Sequence, residues 1–157
     1  MGKTFKGIDV SRYQQGVDFK KVKAAGIDYV IIRAGFGKYA NQKDPCFENH
    51  YKAAKAAGLK VGAYWYSYAA TVEEAKAEAQ TCINAIKGKT FEYPIYFDLE
   101  ERSQFAMGRA FCDSLVKTFC NALEHAGYWA GLYISRSPLQ QYISAYVAKR
   151  YALWVDE

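Results

Sequence analysis

The chain is poor in residues that mark metal or disulfide chemistry. Of 157 residues only two are histidine, and the four cysteines show neither a CxxC pair nor the Cys/His spacing of a zinc site. Cys46, Cys82, Cys112 and Cys120 are therefore read mainly as buried thiols. Cys112 and Cys120 fall eight residues apart in one predicted helix, about 12 Å along its axis, which no disulfide spans while the helix is intact. Pairing with Cys46 or Cys82 stays open, and nothing in the sequence suggests a metal or an organic cofactor. No apolar run approaches the roughly 20 residues of a membrane-spanning helix, so membrane insertion is not expected. No leader precedes the first strand, because Met1-Gly2-Lys3-Thr4 leads directly into Phe5, and synthesis in the cytosol is expected. Arg-rich runs and basic stripes are also missing. The formal charge of +5 comes from lysines scattered over helical segments, such as Lys20, Lys21 and Lys23, which is a solvated surface and not a nucleic-acid footprint. It permits a mild attraction to an anionic polymer.

What the chain has is apolar and aromatic. A hydrophobic content of 51% is ample for the core of one domain spanning residues 1–157. Aromatic content is high, with 14 tyrosines, 9 phenylalanines and 3 tryptophans; tyrosine in such excess often lines surfaces that stack on sugar or planar rings, while many of these rings simply pack in the core.

Helix signals are well punctuated. Asp18 caps a helix that Gly26 ends, Asp44 with Pro45 opens a second that runs to Gly58, and Thr71-Val72-Glu73-Glu74 is a capping box for a third. A fourth helix is predicted over about 103–127, and a short fifth near Ser137-Pro138. Between them lie six apolar runs of strand type: 6–10, 29–34, 61–66, 93–100, 130–134 and 152–155. Six strands alternating with five helices predict an α/β fold with a parallel sheet covered on its outer side. The joint Ala-Gly-x-x that ends a helix and begins a strand recurs at Ala25, Ala57 and Ala126, as βα units require. Polar groups gather at the C-terminal ends of the strands, where both a barrel and a doubly wound sheet build their sites. The two architectures differ in whether the first and last strands meet.

The most informative segment is Tyr93-Pro94-Ile95-Tyr96-Phe97-Asp98-Leu99-Glu100. Strand alternation turns Asp98 and Glu100 to one face and Phe97 and Leu99 to the other. Two carboxyls in one partly apolar space cannot ionise independently, and the split leaves one proton donor and one anion at neutral pH. Such a pair suits glycosidic bond cleavage. Asp9, at the end of the first strand, brings a third carboxylate to the same mouth.

Gly7-Ile8-Asp9-Val10-Ser11, Val30-Ile31-Ile32-Arg33-Ala34, Val61-Gly62-Ala63-Tyr64, Asp98-Leu99-Glu100, Gly127-Tyr128, Tyr133 and Leu153-Trp154-Val155 occur in an order that resembles glycoside hydrolase family 25. These are the lysozymes and phage endolysins of the N,O-diacetylmuramidase type. The resemblance implies a TIM-like barrel of five βα units followed by three strands, and cleavage of the β-1,4 bond from N-acetylmuramic acid to N-acetylglucosamine in bacterial peptidoglycan. It makes Glu100 the general acid and later base, and Asp98 the stabiliser of a substrate-assisted intermediate, with a direct nucleophilic role for Asp98 as the competing version. Asp9 becomes a supporting acid. Tyr64, Tyr66 and Tyr133 line the sugar groove, although a core role fits Tyr66 as well, and Trp65 and Tyr68 are read as packing. Arg33 is placed to contact the carboxylates or the lactyl and peptide part of the glycan, or to serve as a structural ion-pair partner.

The family pattern continues past Leu153-Trp154-Val155 with two more strands and a further Asp, for which Asp156 is not taken as a substitute. An incomplete barrel is therefore expected, with open edges prone to self-association, and a piece of a longer enzyme is the most economical explanation. Action at the wall from a cytosolic origin resembles a phage endolysin or requires another export route. Two other readings remain: a wall-binding module without turnover, and a chitinase-like hydrolase, whose further acids would fall at Tyr93 and Tyr96.

Overall fold

The computed structural model describes residues 4–157, so Met1-Gly2-Lys3, on which the absence of a leader was read, lies outside the described residues. Six strands, β1 (Gly7–Val10), β2 (Tyr29–Phe36), β3 (Lys60–Tyr66), β4 (Ile95–Asp98), β5 (Ala130–Ser135) and β6 (Ala152–Asp156), form one parallel sheet in sequential order. Sequential order leaves no point at which the strand order reverses, and so excludes the doubly wound alternative. The helices are α1 (Phe19–Ala24), α2 (Phe47–Ala56), α3 (Val72–Ile86), α4 (Arg102–Phe105), α5 (Arg109–His125), α6 (Arg136–Tyr142) and α7 (Ala145–Arg150).

Strand alternation divides the sheet into two chemically different faces. Val30, Ile32, Val61, Ala63, Trp65, Ile95, Phe97, Leu132 and Ile134 point outward and are buried against Phe47 of α2, Ala75, Ala79, Cys82 and Ile86 of α3, and Leu115, Phe119 and Leu123 of α5. The rings of Phe97 and Phe119 lie 4.7 Å apart, centroid to centroid. Inward positions are wetter and aromatic. In register across the sheet, Arg33 stands beside Tyr64, Tyr64 beside Tyr96, and Tyr96 beside Gly131. A Cβ on Gly131 would come within 2.8 Å of the Tyr96 ring, so the missing side chain is what lets that ring lie across the inner face.

The sheet curls without closing. Among the described residues β1 and β6 each pair on one side only, yet Asp9 and Tyr29 share one cleft of about 200 Å³ with Leu153 and Trp154, so the two edges face each other. The fold is an open half-barrel with its helices outside. The four cysteines are free and buried.

Three boundaries differ from the sequence reading. The long fourth helix divides into α4 and α5 at Gly108, whose φ of 94° a helix cannot hold. A seventh helix, α7, follows α6, with the Ser144 hydroxyl accepting from Val147 N–H. Asp44 does not cap α2, which begins at Phe47; its buried carboxylate accepts from the N–H groups of Cys46 (2.8 Å) and Arg12 (3.0 Å) and so ties the loop after β1 to the loop after β2. His50 does the same from α2, with Nε2 2.9 Å from the Ser11 carbonyl oxygen.

Glu78 of α3 holds the loop after β3. Its carboxylate, 1% exposed, accepts from Ser67 Oγ (2.7 Å) and Tyr68 N–H (2.8 Å), while Gln104 donates to Ser67 Oγ and to the Ala69 carbonyl. Burial is the main cause that raises the Glu78 pKa from 4.5 to about 7, against the lowering effect of its two donors. Glu74 adds to the rise and Lys38 opposes it. An acid that binds its proton more tightly folded than unfolded favours folding while protonated. Its contribution is complete below about pH 4.5 and is lost as the pH rises through about 7. Urea unfolding should therefore show stability falling across that window, with Glu78 accounting for up to about 3 kcal/mol. Glu78→Gln should flatten the slope by that share. An unchanged slope would mean that this carboxyl is not held in a low dielectric.

Candidate active site

Polar groups from four strands meet at the C-terminal edge of the sheet. Asp9, Tyr64, Asp98, Glu100, Tyr133 and Trp154 line a cleft of about 100 Å³. Asp98 ends β4 and stands in register with Tyr66 on one side and Tyr133 on the other, and Tyr133 in turn with Trp154. Glu100 follows two residues later on the same face. The backbone continues the sheet's hydrogen bonding here, with Leu99 N–H donating to the Tyr133 carbonyl and Ser67 N–H to that of Asp98.

The two carboxyls differ in environment. Asp98 is 4% exposed, and its Oδ1 has no hydrogen-bond partner among the described residues, whereas Glu100 is exposed at the mouth. Burial raises the Asp98 pKa first, and the hydrogen bond and charge of Glu100 raise it further, opposed by the Arg33 guanidinium. Burial and the neighbouring carboxyl thus favour the protonated form of Asp98. Asp9 is raised as well, by burial and then by Asp156 across the open side of the barrel. Burial is also the leading cause that holds the hydroxyls of Tyr64, Tyr66 and Tyr133 protonated well above the usual tyrosine range.

The residues singled out in the sequence all reach this edge, with different contacts. Tyr64 and Tyr133 wall the cleft. Tyr66 is half-buried and donates to Glu101 Oε2 at 2.6 Å, so its hydroxyl is already engaged. Arg33 lies between the acid pair and a neighbouring groove; its Nε is buried without a partner among the described residues, and its guanidinium sits 4.9 Å from the Phe36 ring centroid. Trp65 is buried on the outer face, as a packing residue should be. Tyr68, read as packing too, is 52% exposed at the loop after β3, edge-on to Phe36 and tilted against Tyr66. It lies just beyond the end of β3 at Tyr66 and lines the neighbouring groove with Arg33 and Phe36.

Several contributors were not visible beforehand. Trp154 is the hub of the aromatic wall, its ring centroid 4.5 Å from that of Tyr133, 5.3 Å from Tyr96 and 6.3 Å from Tyr64. The sequence placed it in an apolar strand without a role in the site, and only the inward register gives it to the cleft. Asp156 accepts from the Tyr133 hydroxyl at 2.9 Å, so an acid does stand on the last strand beside the site. Among the described residues no cluster of three or more His, Cys, Asp or Glu is arranged to hold a metal ion.

A family model described as glycosyl hydrolases family 25 matches residues 8–157. The autolytic lysozyme of Clostridium acetobutylicum is 30% identical over 154 residues, covering 97% of this chain and 44% of that protein. Lysozyme M1 of Streptomyces globisporus is 31% identical over 129 residues, 79% of this chain and 42% of its own. The chain thus spans less than half the length of these two relatives. The modular autolysin LytC of Streptococcus pneumoniae, solved with a synthetic peptidoglycan ligand, superposes with a TM-score of 0.82 at 23% identity, over 96% of this chain and 37% of LytC. It shares the fold. By the match of the family model over nearly its whole length, the chain belongs to glycosyl hydrolase family 25.

Proposed function

We propose that the chain is a muramidase, a single catalytic unit over residues 1–157 that hydrolyses the β-1,4 bond between N-acetylmuramic acid and N-acetylglucosamine in bacterial peptidoglycan. The observation that carries this reading is the unequal acid pair: a buried Asp98 with an unsatisfied oxygen beside an exposed Glu100, in a cleft walled by Tyr64, Tyr133 and Trp154.

The inequality assigns the roles. A nucleophile that attacks the anomeric carbon needs an open line to it, and a carboxyl that is 4% exposed beneath its neighbour is poorly placed for that. It is well placed to accept a hydrogen bond from the N–H of a 2-acetamido group. Meeting that donor favours the Asp98 anion, and the pair's proton then resides on Glu100, which faces the leaving oxygen. As Glu100 protonates that oxygen and the glycosidic bond breaks, the acetamido carbonyl oxygen closes on the anomeric carbon. Asp98 stabilises the resulting positive charge. Glu100, now anionic, takes a proton from water, whose oxygen opens the cyclic intermediate with net retention. Asp9 supports the proton affinity of the cluster, Tyr64 and Tyr133 pack on sugar rings, the Tyr66 ring extends the wall, and Arg33 opposes the acids from behind. These roles match those the family resemblance gave from sequence, and the burial of Asp98 favours substrate assistance over a covalent intermediate.

Among the described residues no helix is long and apolar enough to cross a membrane. We place the action at the bacterial wall. The unpaired edges of β1 and β6, with Leu153 and Val155 exposed on the outer side of β6, support self-association through those edges. Sedimentation over a hundredfold concentration range should show a rising mean mass, and a constant monomer mass would remove that reading.

Glu100→Gln should slow the clearing of purified walls by about 100-fold to 10,000-fold, the span of a lost general acid. Equal clearing by wild type and variant would show that the acid is assigned wrongly. Because Asp98 holds its proton far above the ordinary carboxylate range, wild-type clearing should persist into alkaline pH and fail as the pair loses its shared proton. In Asp98→Asn the shared site is gone, and the alkaline limb of the rate profile should move to lower pH by about one unit or more, together with a lower maximum. An unmoved limb would mean that some other group sets it.

A further inference from the structure

A second groove adjoins the acid cleft, and its charge is opposite. It holds about 440 Å³ between the loops that follow β1 and β2, and Arg12, Arg33 and Lys43 line it with Tyr13, Phe36 and Tyr68. The one carboxylate in its wall, Asp44, is 4% exposed and is occupied by two backbone N–H groups. Lys43 is paired with Glu48 at 2.7 Å. Arg12 and Arg33 have no carboxylate within ion-pair distance among the described residues, and the Arg33 Nε–H is buried without an acceptor. Each guanidinium lies near an aromatic ring, 5.2 Å from the Tyr13 centroid and 4.9 Å from that of Phe36. A planar fork supported in this way and short of an acceptor matches a carboxylate, which can take two parallel N–H bonds.

We propose that this groove binds the carboxylates of the short peptide attached to the lactyl ether of the muramic acid ring. The proposal rests on the muramidase reading, since that ring adjoins the bond cleaved and Arg33 lies between the acids and the groove. Anchoring of the site is independent of the arginine heads. Arg12 is fixed through its backbone N–H to Asp44, so its side chain can be changed without loosening the loop.

Binding is measured on the wild type, because a disaccharide that ends in muramic acid has no bond from N-acetylmuramic acid to N-acetylglucosamine to cleave. The wild-type affinity for N-acetylglucosaminyl-N-acetylmuramyl-alanyl-glutamate should exceed that for the corresponding diamide by roughly tenfold, the worth of one charge-assisted pair of bonds. The preference should shrink as salt is raised. Arg12→Gln should abolish it, and Arg12→Lys, which keeps the charge but loses the fork, should restore it only in part. Equal binding of acid and diamide, or binding of neither, overturns the proposal. A preference that survives Arg12→Gln also overturns it. If glycerol phosphate displaces the acid more effectively than glutamate does, the groove serves a phosphate polymer and the assignment to the peptide fails. Wall clearing by the wild type, measured in parallel, separates the two readings: clearing without a carboxylate preference leaves the muramidase standing and removes this proposal. A carboxylate preference without clearing does the reverse.

Discussion

Asp98 lies where the apolar back of the sheet ends and the cleft begins. Phe97 and Leu99, its neighbours in the chain, are fully buried on the outer side, and they fix the backbone so that Asp98 must face inward under Glu100. A carboxyl confined there cannot turn to water, and its charge is costly unless a donor arrives. The chemistry proposed for the cleft follows from that confinement: the proton waits on the buried acid until substrate supplies an N–H. Packing of the outer face by α5, with Phe119 against Phe97, is thus a condition of the acid pair's asymmetry as well as of stability.

The loops around the cleft are held by a second device, buried polar side chains that accept from backbone N–H groups. Asp44 joins the loops after β1 and β2, and Glu78 holds the loop after β3 that carries Tyr68. From Glu78 the chain of contacts runs through Ser67 and Gln104 to Glu101, whose N–H donates to Gln104 and whose carboxylate receives the Tyr66 hydroxyl. A buried polar network of this kind is rigid when every member is satisfied. Among the described residues, the buried side-chain atoms left without a hydrogen bond are Asp98 Oδ1 and Arg33 Nε, both where a ligand is expected.

The repeated strand and helix punctuation made the parallel sheet legible, and alternation put Asp98 and Glu100 on one face before any coordinates. The caps at Asp18 and Thr71 were equally readable, because a side chain bonding two or three residues ahead is a local event. What escaped was long-range. Asp44 had the sequence of a cap, and one of its oxygens does bond locally to Cys46 N–H, but the other reaches Arg12, 32 residues away. The inward place of Trp154 was equally hidden, because only the curl of the sheet shows which face of an apolar strand stays open. The break at Gly108 was readable in principle, since one glycine in a long helical pattern is a candidate stop. Family resemblance supplied the roles of Asp98 and Glu100. Their unequal burial required coordinates.

Arg33 connects the two halves of the site. Its register places it level with Tyr64 on the inner face, where its charge lowers the proton affinity that burial and Glu100 raise on Asp98. With an anion in the adjoining groove, part of that positive charge would be compensated and the opposing effect on Asp98 reduced. Occupancy of the groove would then tighten the hold of the acid pair on its proton, so that a glycan bearing its peptide would be met by a better-protonated pair than a bare glycan. Recognition of the peptide and readiness of the acid would be coupled through one guanidinium, and the coupling needs no movement of the backbone.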